Sequence, residues 1–194
     1  MNTAEIARKI VQEPFMAIIT CKVVMCGDYA VGKTTFVKSF LGGDVMNGYK
    51  PTIGVDIGRA TRDIETHKLV FQIWDLSGQE SFSTIRKQFY SRSNGGIMVY
   101  DVSRRKTFQN ILQWTEEMLE QTGKVPVVLV ANKIDLRNQS TDPVTIQEGE
   151  LLSEEITNRT GFKTPFVEAS ALNLLNNQEP FIVLGRTIIL QSGI

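Results

Sequence analysis

The chain has 194 residues, 42% hydrophobic and 22% charged, ordinary proportions for a globular protein. A chain of this length can bury about 70% of its unfolded surface. With 21 basic and 21 acidic residues the net charge is zero, which argues against a nucleic-acid partner held by charge. The longest apolar stretch, Phe15 to Ile19, is too short to cross a bilayer, and the N-terminus lacks the residue order of a secretory signal.

Residues 1–19 read as an N-terminal extension and 20–194 as one domain. Ile6, Ala7, Ile10 and Val11 share one face of a short helix stopped by Pro14. That helix either packs on the domain's own surface or meets a membrane or partner as an amphipathic helix; Asn2 excludes N-myristoylation, which needs glycine. Lys22 to Cys26 is the first expected strand. Cys21 and Cys26 lie five apart along the extended run and point to opposite faces, so they read as buried thiols in a reduced, cytoplasmic setting. Phe36 to Leu41 belongs to the helix that follows.

Val55 to Glu65 and Lys68 to Asp75 predict an antiparallel hairpin turning at Thr66-His67, with His67 solvated and without a role. Gly96–Asp101, Val125–Ala131 and Thr164–Glu168 predict further strands, and the run Val127-Val128-Leu129-Val130 predicts burial on both faces. Phe108, Ile111, Leu112, Thr115 and Leu119 follow helical spacing, with Glu116, Glu117 and Glu120 on a solvated face. Thr145-x-x-Glu148 predicts a capping box opening a helix that ends near Gly161. Asn138 to Pro143 is a polar loop. Phe181, Leu184 and Ile188 mark a last helix, with Pro180 tolerated in its first turn. Strands alternating with helices predict an α/β domain with helices on both faces of the sheet.

Gly27-Asp28-Tyr29-Ala30-Val31-Gly32-Lys33-Thr34 matches G-x-x-x-x-G-K-[ST] in full, after a strand and before a helix. Glycines let the backbone curl so that successive N–H groups face phosphates, and the helix N-terminus adds its positive dipole end. Lys33 is expected to reach the β- and γ-phosphates, the Thr34 hydroxyl to ligate Mg²⁺, and Thr35 to join the binding set. Asn132-Lys133-Ile134-Asp135 follows the apolar run at the C-terminal end of a strand, where open α/β sheets bind ligands. A carboxylate there can accept from guanine N1–H and the exocyclic amine, a donor pair adenine lacks, so Asp135 is expected to select guanine.

From Lys22 to Gln191 the chain resembles a Ras-superfamily GTPase, most similar to the Rab branch. Beyond the two motifs above, the resemblance rests on Tyr49-Lys50-Pro51-Thr52-Ile53-Gly54, Trp74-Asp75-Leu76-Ser77-Gly78-Gln79-Glu80 and Glu168-Ala169-Ser170-Ala171. It implies a G domain of the P-loop NTPase type, a mixed, mostly parallel six-stranded sheet, binding GTP or GDP with Mg²⁺ and hydrolysing GTP. By the same resemblance Lys33, Thr52 and Gln79 would be the catalytic set, with Gln79 orienting the attacking water. Thr52 would place its hydroxyl on Mg²⁺ and its N–H on the γ-phosphate. Asp75 would hold Mg²⁺ through a water, and the Gly78 N–H would meet the γ-phosphate. Asn132 would brace the phosphate loop, Lys133 would lie across the guanine, and Ser170 with the Ala171 N–H would complete the base site, Tyr49 also lying against the nucleotide.

Loops that touch the γ-phosphate lose their anchor on hydrolysis, so residues 45–57 and 76–92 are expected to meet an exchange factor, an activating protein and effectors. Trp74, Phe82 and Phe89 would form the apolar part of that surface. An alternative is a nucleotide-binding scaffold with impaired hydrolysis.

Four departures from the family pattern bear on this reading. Tyr29 stands where relatives carry glycine or a small residue, beside the space an activating arginine would enter. Val45 stands where an aromatic usually stacks on the base, and Leu172 where a lysine usually follows the fifth motif, which is expected to weaken the base clamp. No cysteine follows Cys26, so either a prenylated tail has been removed or the usual lipid anchor is not used. A cytoplasmic monomer is the expectation, with peripheral membrane association left open.

Overall fold

The structure, a computed structural model, describes residues 17–43 and 52–192. The expected helix at Ile6–Val11 and the expected site residues Val45 and Tyr49 lie outside the described residues.

Six strands form one sheet. They are β1 (Ile18–Cys26), β2 (Val55–Ile64), β3 (His67–Leu76), β4 (Gly95–Asp101), β5 (Val127–Asn132) and β6 (Phe166–Glu168). Their order is β2-β3-β1-β4-β5-β6; β2 runs antiparallel to β3, and the other pairs are parallel. This is the mixed, mostly parallel six-stranded sheet that the family resemblance implies. The helices are α1 (Lys33–Phe40), α2 (Ser83–Tyr90), α3 (Arg105–Gln109), α4 (Ile111–Thr122), α5 (Ile146–Thr160) and α6 (Glu179–Ser192).

Alternation along the strands sends side chains into two cores. Val23 and Met25 join Phe36 and Phe40 of α1 and Phe181 and Leu184 of α6 on one face. There the Phe40 and Phe181 rings stack at 4.0 Å, and Phe71 meets Phe40 edge-on at 5.3 Å. Val24 and Cys26 join Tyr90, Trp114, Met118 and Ile156 on the other face. Cys21 and Cys26 therefore do lie on opposite faces, and burial pushes both thiols up to about 12. Every residue of β4 and β5 is buried, as expected of central parallel strands covered on both faces.

Several boundaries move for local reasons. β1 begins at Ile18 rather than Lys22, because β3 continues alongside it and pairs Ile18 with Lys68. The hairpin turns at Glu65-Thr66, not Thr66-His67: Ile64 pairs with His67, and Glu65 takes the left-handed φ of +55°. His67 is thus the first, half-buried residue of β3. Pro126 and Pro165 hold back the starts of β5 and β6, since neither can donate to the ladder. The expected helix over Phe108–Leu119 is two helices, α3 and α4, separated at Asn110.

Both halves of the Thr145–Glu148 capping box form, opening α5. Glu117 departs from the expected solvated face. It accepts a two-pronged pair from Arg86 at 2.9 and 3.2 Å and a bond from Tyr90 at 2.9 Å. A helical period alone cannot reveal which neighbouring helix meets a given face.

Candidate functional site

The sheet's C-terminal edge opens into a cavity of about 440 Å³ between the loop after β1, the loop after β5 and the segment after β6. Gly32 closes the first of these loops with φ +105°, a backbone conformation that L side chains rarely adopt. A Cβ at Gly32 would stand 2.2 Å from the Asn132 amide nitrogen, so glycine also permits the loop's close approach to β5. Ala30 takes φ +59° beside it, one of the few non-glycine residues so strained. Lys33 begins α1 almost fully buried and donates to the carbonyls of Gly27 (2.7 Å) and Asp28 (2.9 Å). Burial pushes its ammonium down to about 8, against the opposing pull of Asp75. No acidic side chain lies in the first turn of α1 and no side chain caps it, so its N-terminal N–H groups face the cavity end unshielded.

Three oxygens from distant segments converge next to Lys33. Thr34 Oγ1 lies 2.8 Å from Thr52 Oγ1 and donates to Asp75 Oδ2 at 2.5 Å, while Thr52 Oγ1 is 3.3 Å from that same atom. The other Asp75 oxygen, Oδ1, is buried with no hydrogen-bond partner among the described residues. Burial raises the Asp75 carboxyl above its ordinary range, opposed by bonds from Thr34 and the charge on Lys33. A buried carboxylate oxygen without a partner, beside two hydroxyls, fits a small, hard, oxygen-seeking cation such as Mg²⁺.

The opposite end of the cavity is braced. Asn132, last in β5, donates to Val31 O at 2.6 Å and accepts from Ala171 N at 3.0 Å, tying three loops together. Lys133 takes φ +63° and donates to Ala30 O at 2.8 Å. Ser170 donates to Asp135 Oδ1 at 2.6 Å, and Asp135 lines the cavity.

Of the expected site residues, Tyr29, Ala30, Gly32, Lys33, Thr34, Thr35 and Thr52 line the phosphate-loop side of the cavity with Gly78. Asn132, Lys133, Asp135, Ser170, Ala171 and Leu172 line the other side. Gly27 and Val31 stand behind the loop, Val31 fully buried. Asp28 turns its carboxylate away to Asn110 (2.8 Å) and Trp114 (2.7 Å). Gln79 does not line the cavity; its carbonyl is held by Arg86 and by the Phe82 N–H.

Two residues missed in the sequence support the site from behind. Asp101, at the end of β4, holds Lys133 at 2.8 Å and Arg104 at 2.9 Å, and Arg104 in turn donates to Tyr29 O at 2.9 Å. Burial alone would raise the Asp101 carboxyl, but bonds from Lys133, Ser103 and Arg104 outweigh it and hold it below its ordinary value. Its signal was an acidic residue at the C-terminal end of an otherwise apolar central strand.

Known proteins carry the same pattern. The model of the Ras family matches residues 22–190. Ras-related protein Rab-13 of Bos taurus is 36% identical over 173 residues, which cover 89% of this chain and 81% of its own. The Ras and EF-hand domain-containing protein homologs of Caenorhabditis briggsae and Caenorhabditis elegans are 33% and 32% identical over 171 residues. Those residues make up 88% of this chain but only 26% of each relative, so the chain spans about a quarter of their length. The match runs from β1 through α6 and takes in every loop that builds the cavity. It follows that the chain belongs to the Ras family of small GTPases and is Rab-like within it.

Proposed function

We propose that the protein is a molecular switch that binds GTP or GDP with Mg²⁺ and hydrolyses GTP to GDP and phosphate. The observation that carries this reading is a single cavity lined by Lys33, Thr34 and Thr52 at one end, with buried Asp75 bonded to both threonine hydroxyls, and by Asp135 at the other. Thr34 and Thr52 would hold Mg²⁺ directly and Asp75 through a water, the ion neutralising phosphate charge when bound. Lys33 would donate to the β- and γ-phosphates in place of its present carbonyl partners. Thr52 and Gly78 would offer N–H groups to the γ-phosphate. Gln79, brought to the cavity by movement of its segment, would orient the attacking water. Asp135 would accept from the guanine N1–H and exocyclic amine, with the Ala171 N–H on O6 and the Lys133 stem across the ring. Val45 and Tyr49 would complete the binding set from outside the described residues.

Nucleotide state would then be read by partners on residues 45–57 and 76–92: an exchange factor, an activating protein and effectors. Exposed Ile53, Ile57 and Ile85, with half-buried Trp74 and Phe89 packed 5.7 Å apart, support an apolar docking surface there. A cytoplasmic monomer, peripheral to a membrane, fits this reading, and among the described residues no helix is long and apolar enough to cross a bilayer.

A second reading, a nucleotide-binding scaffold with impaired hydrolysis, draws on two observations: Tyr29 lines the phosphate end of the cavity and Gln79 does not. Single-turnover hydrolysis of bound GTP separates the two readings. Turnover that Gln79→Leu abolishes and Tyr29→Gly accelerates supports the switch. Tight GTP binding with no turnover in the wild type supports the scaffold.

A further inference from the structure

Arg86, on α2, is only 6% exposed and makes no contact with the cavity, yet its guanidinium is fully engaged. Nη1 donates to the carbonyls of Ser77 (3.1 Å) and Gln79 (3.2 Å), which flank Gly78, while Nε and Nη2 grip Glu117. The guanidinium lies 4.0 Å over the Trp114 ring. The indole N–H of that same ring is the donor to the Asp28 carboxylate, at 2.7 Å. Gly78 meanwhile sits so close to the phosphate loop that a Cβ there would meet the Asp28 carbonyl carbon at 2.4 Å and the Tyr29 nitrogen at 2.5 Å.

We propose that Arg86 and Asp28 are positioning residues, coupled through the Trp114 indole, that set the backbone around Gly78 against the phosphate loop. Glycine has no side chain to fix its direction, and the Gly78 N–H lies in the same peptide plane as Ser77 O, so whatever holds Ser77 O aims that N–H, while a grip on Gln79 O fixes the segment just beyond it. Arg86 is that holder, and Glu117 with Tyr90 fixes Arg86. Trp114 then fastens the guanidinium plane to Asp28, so the phosphate loop and the Gly78 peptide share one rigid reference. An aromatic that stacks on a cation while donating to a carboxylate is polarised by both, which tightens the chain of contacts.

This inference rests on the reading above in which Gly78 N–H meets the γ-phosphate, and it adds which residues hold that N–H in place. It therefore predicts a loss confined to the triphosphate state. The test is equilibrium binding of Mg²⁺·GDP and of the non-hydrolysable analogue Mg²⁺·guanylyl imidodiphosphate to the full chain, for wild type, Asp28→Ala, Arg86→Lys and the double variant. Each single variant should weaken the analogue relative to GDP by about fivefold or more. The double variant should lose no more than the larger single one, because both break the same connection. Equal losses for both nucleotides, or single effects that multiply in the double, overturn the proposal and leave a merely structural cluster.

Should Arg86→Lys not fold, Glu117→Gln removes the anchor of the guanidinium and must show the same selectivity. A second readout uses Trp114 as the sole tryptophan in Trp74→Phe. Its emission should differ between the GDP and analogue complexes, and identical spectra count against the coupling. A wild type that never turns over GTP but shows the selective coupling overturns the hydrolysis reading and supports this one.

Discussion

At the base end of the cavity Asn132, Lys133 and Asp135 are each held by a partner from the protein itself, whereas at the phosphate end Lys33 and Asp75 are buried without full compensation. Asn132 spends its donor on Val31 O and its acceptor on Ala171 N, so the base end is a finished brace. Lys33 is pushed down to about 8 by burial, and Asp75 is raised with one oxygen orphaned. Uncompensated buried charge is costly, and it persists where a ligand is to supply the missing partner. The difference separates residues that hold the site's shape from residues whose chemistry a bound ligand completes.

The largest expected effect lies at the phosphate end. Lys33→Met should weaken guanine nucleotide binding by about 10³-fold, through loss of two charge-assisted hydrogen bonds. Melting of the nucleotide-free protein should fall by less than in Asn132→Ala, because relief of a desolvated cation offsets the bonds lost at Gly27 O and Asp28 O. A fluorescent-GDP titration together with a thermal melt checks both, and a melting point as low as that of Asn132→Ala would mean that Lys33 is a brace after all. At the base end Asn132→Ala should instead cost about 3 kcal/mol of stability, since Val31 O and the buried Ala171 N–H lose their partner. Urea unfolding measures that cost, and a loss below about 1 kcal/mol would show the brace to be slack.

Gly32 joins the two ends, and its substitution sharpens the comparison. Gly32→Ala should destabilise by about 2 kcal/mol, from a left-handed φ and a methyl driven against the Asn132 amide. In the Asn132→Ala background the clash part of that cost should vanish, so the two losses should not add. Full additivity would place the strain in the loop alone.

A control far from both ends gives the smallest effect. Glu148→Ala should cost about 1 kcal/mol through the helix cap, with nucleotide affinity unchanged. Its pH dependence has a definite sign. Bonds from Arg105, then from the Thr145 backbone, hold the folded carboxyl at about 2, below its ordinary 4.5. The wild-type advantage is therefore complete above pH 4.5 and fades as pH falls towards 2. Paired melts across that range test it, and an advantage that persists at pH 2 would trace it to packing instead.

Much of this molecule is legible in the chain because its signals are local. The glycine loop must follow a strand and open a helix, the apolar run of β5 must be buried on both faces, and Thr145 with Glu148 can close a capping box without help from elsewhere. Such features depend on backbone sterics and on residues within one turn of each other. The hairpin turns one residue earlier than its sequence predicts, because Glu65 accepts a left-handed backbone that its side chain does not advertise.

Tertiary structure decided everything that depends on which surfaces meet. A helical repeat places Glu117 beside Glu116 and Glu120, but only the approach of α2 turns it into the partner of buried Arg86. Asp28 belongs to the phosphate-loop motif, yet its carboxylate serves Trp114 and Asn110 on α4 and before it. Asp101 holds Lys133 because β4 and β5 pair in register, Asp101 opposite Asn132. Long-range partners are set by packing geometry, and no spacing along the chain encodes the distance between two side chains from different elements. The amino-acid sequence by itself determined the elements, the family and the chemistry on offer; the folded packing decided which of those residues face the cavity and which hold them there.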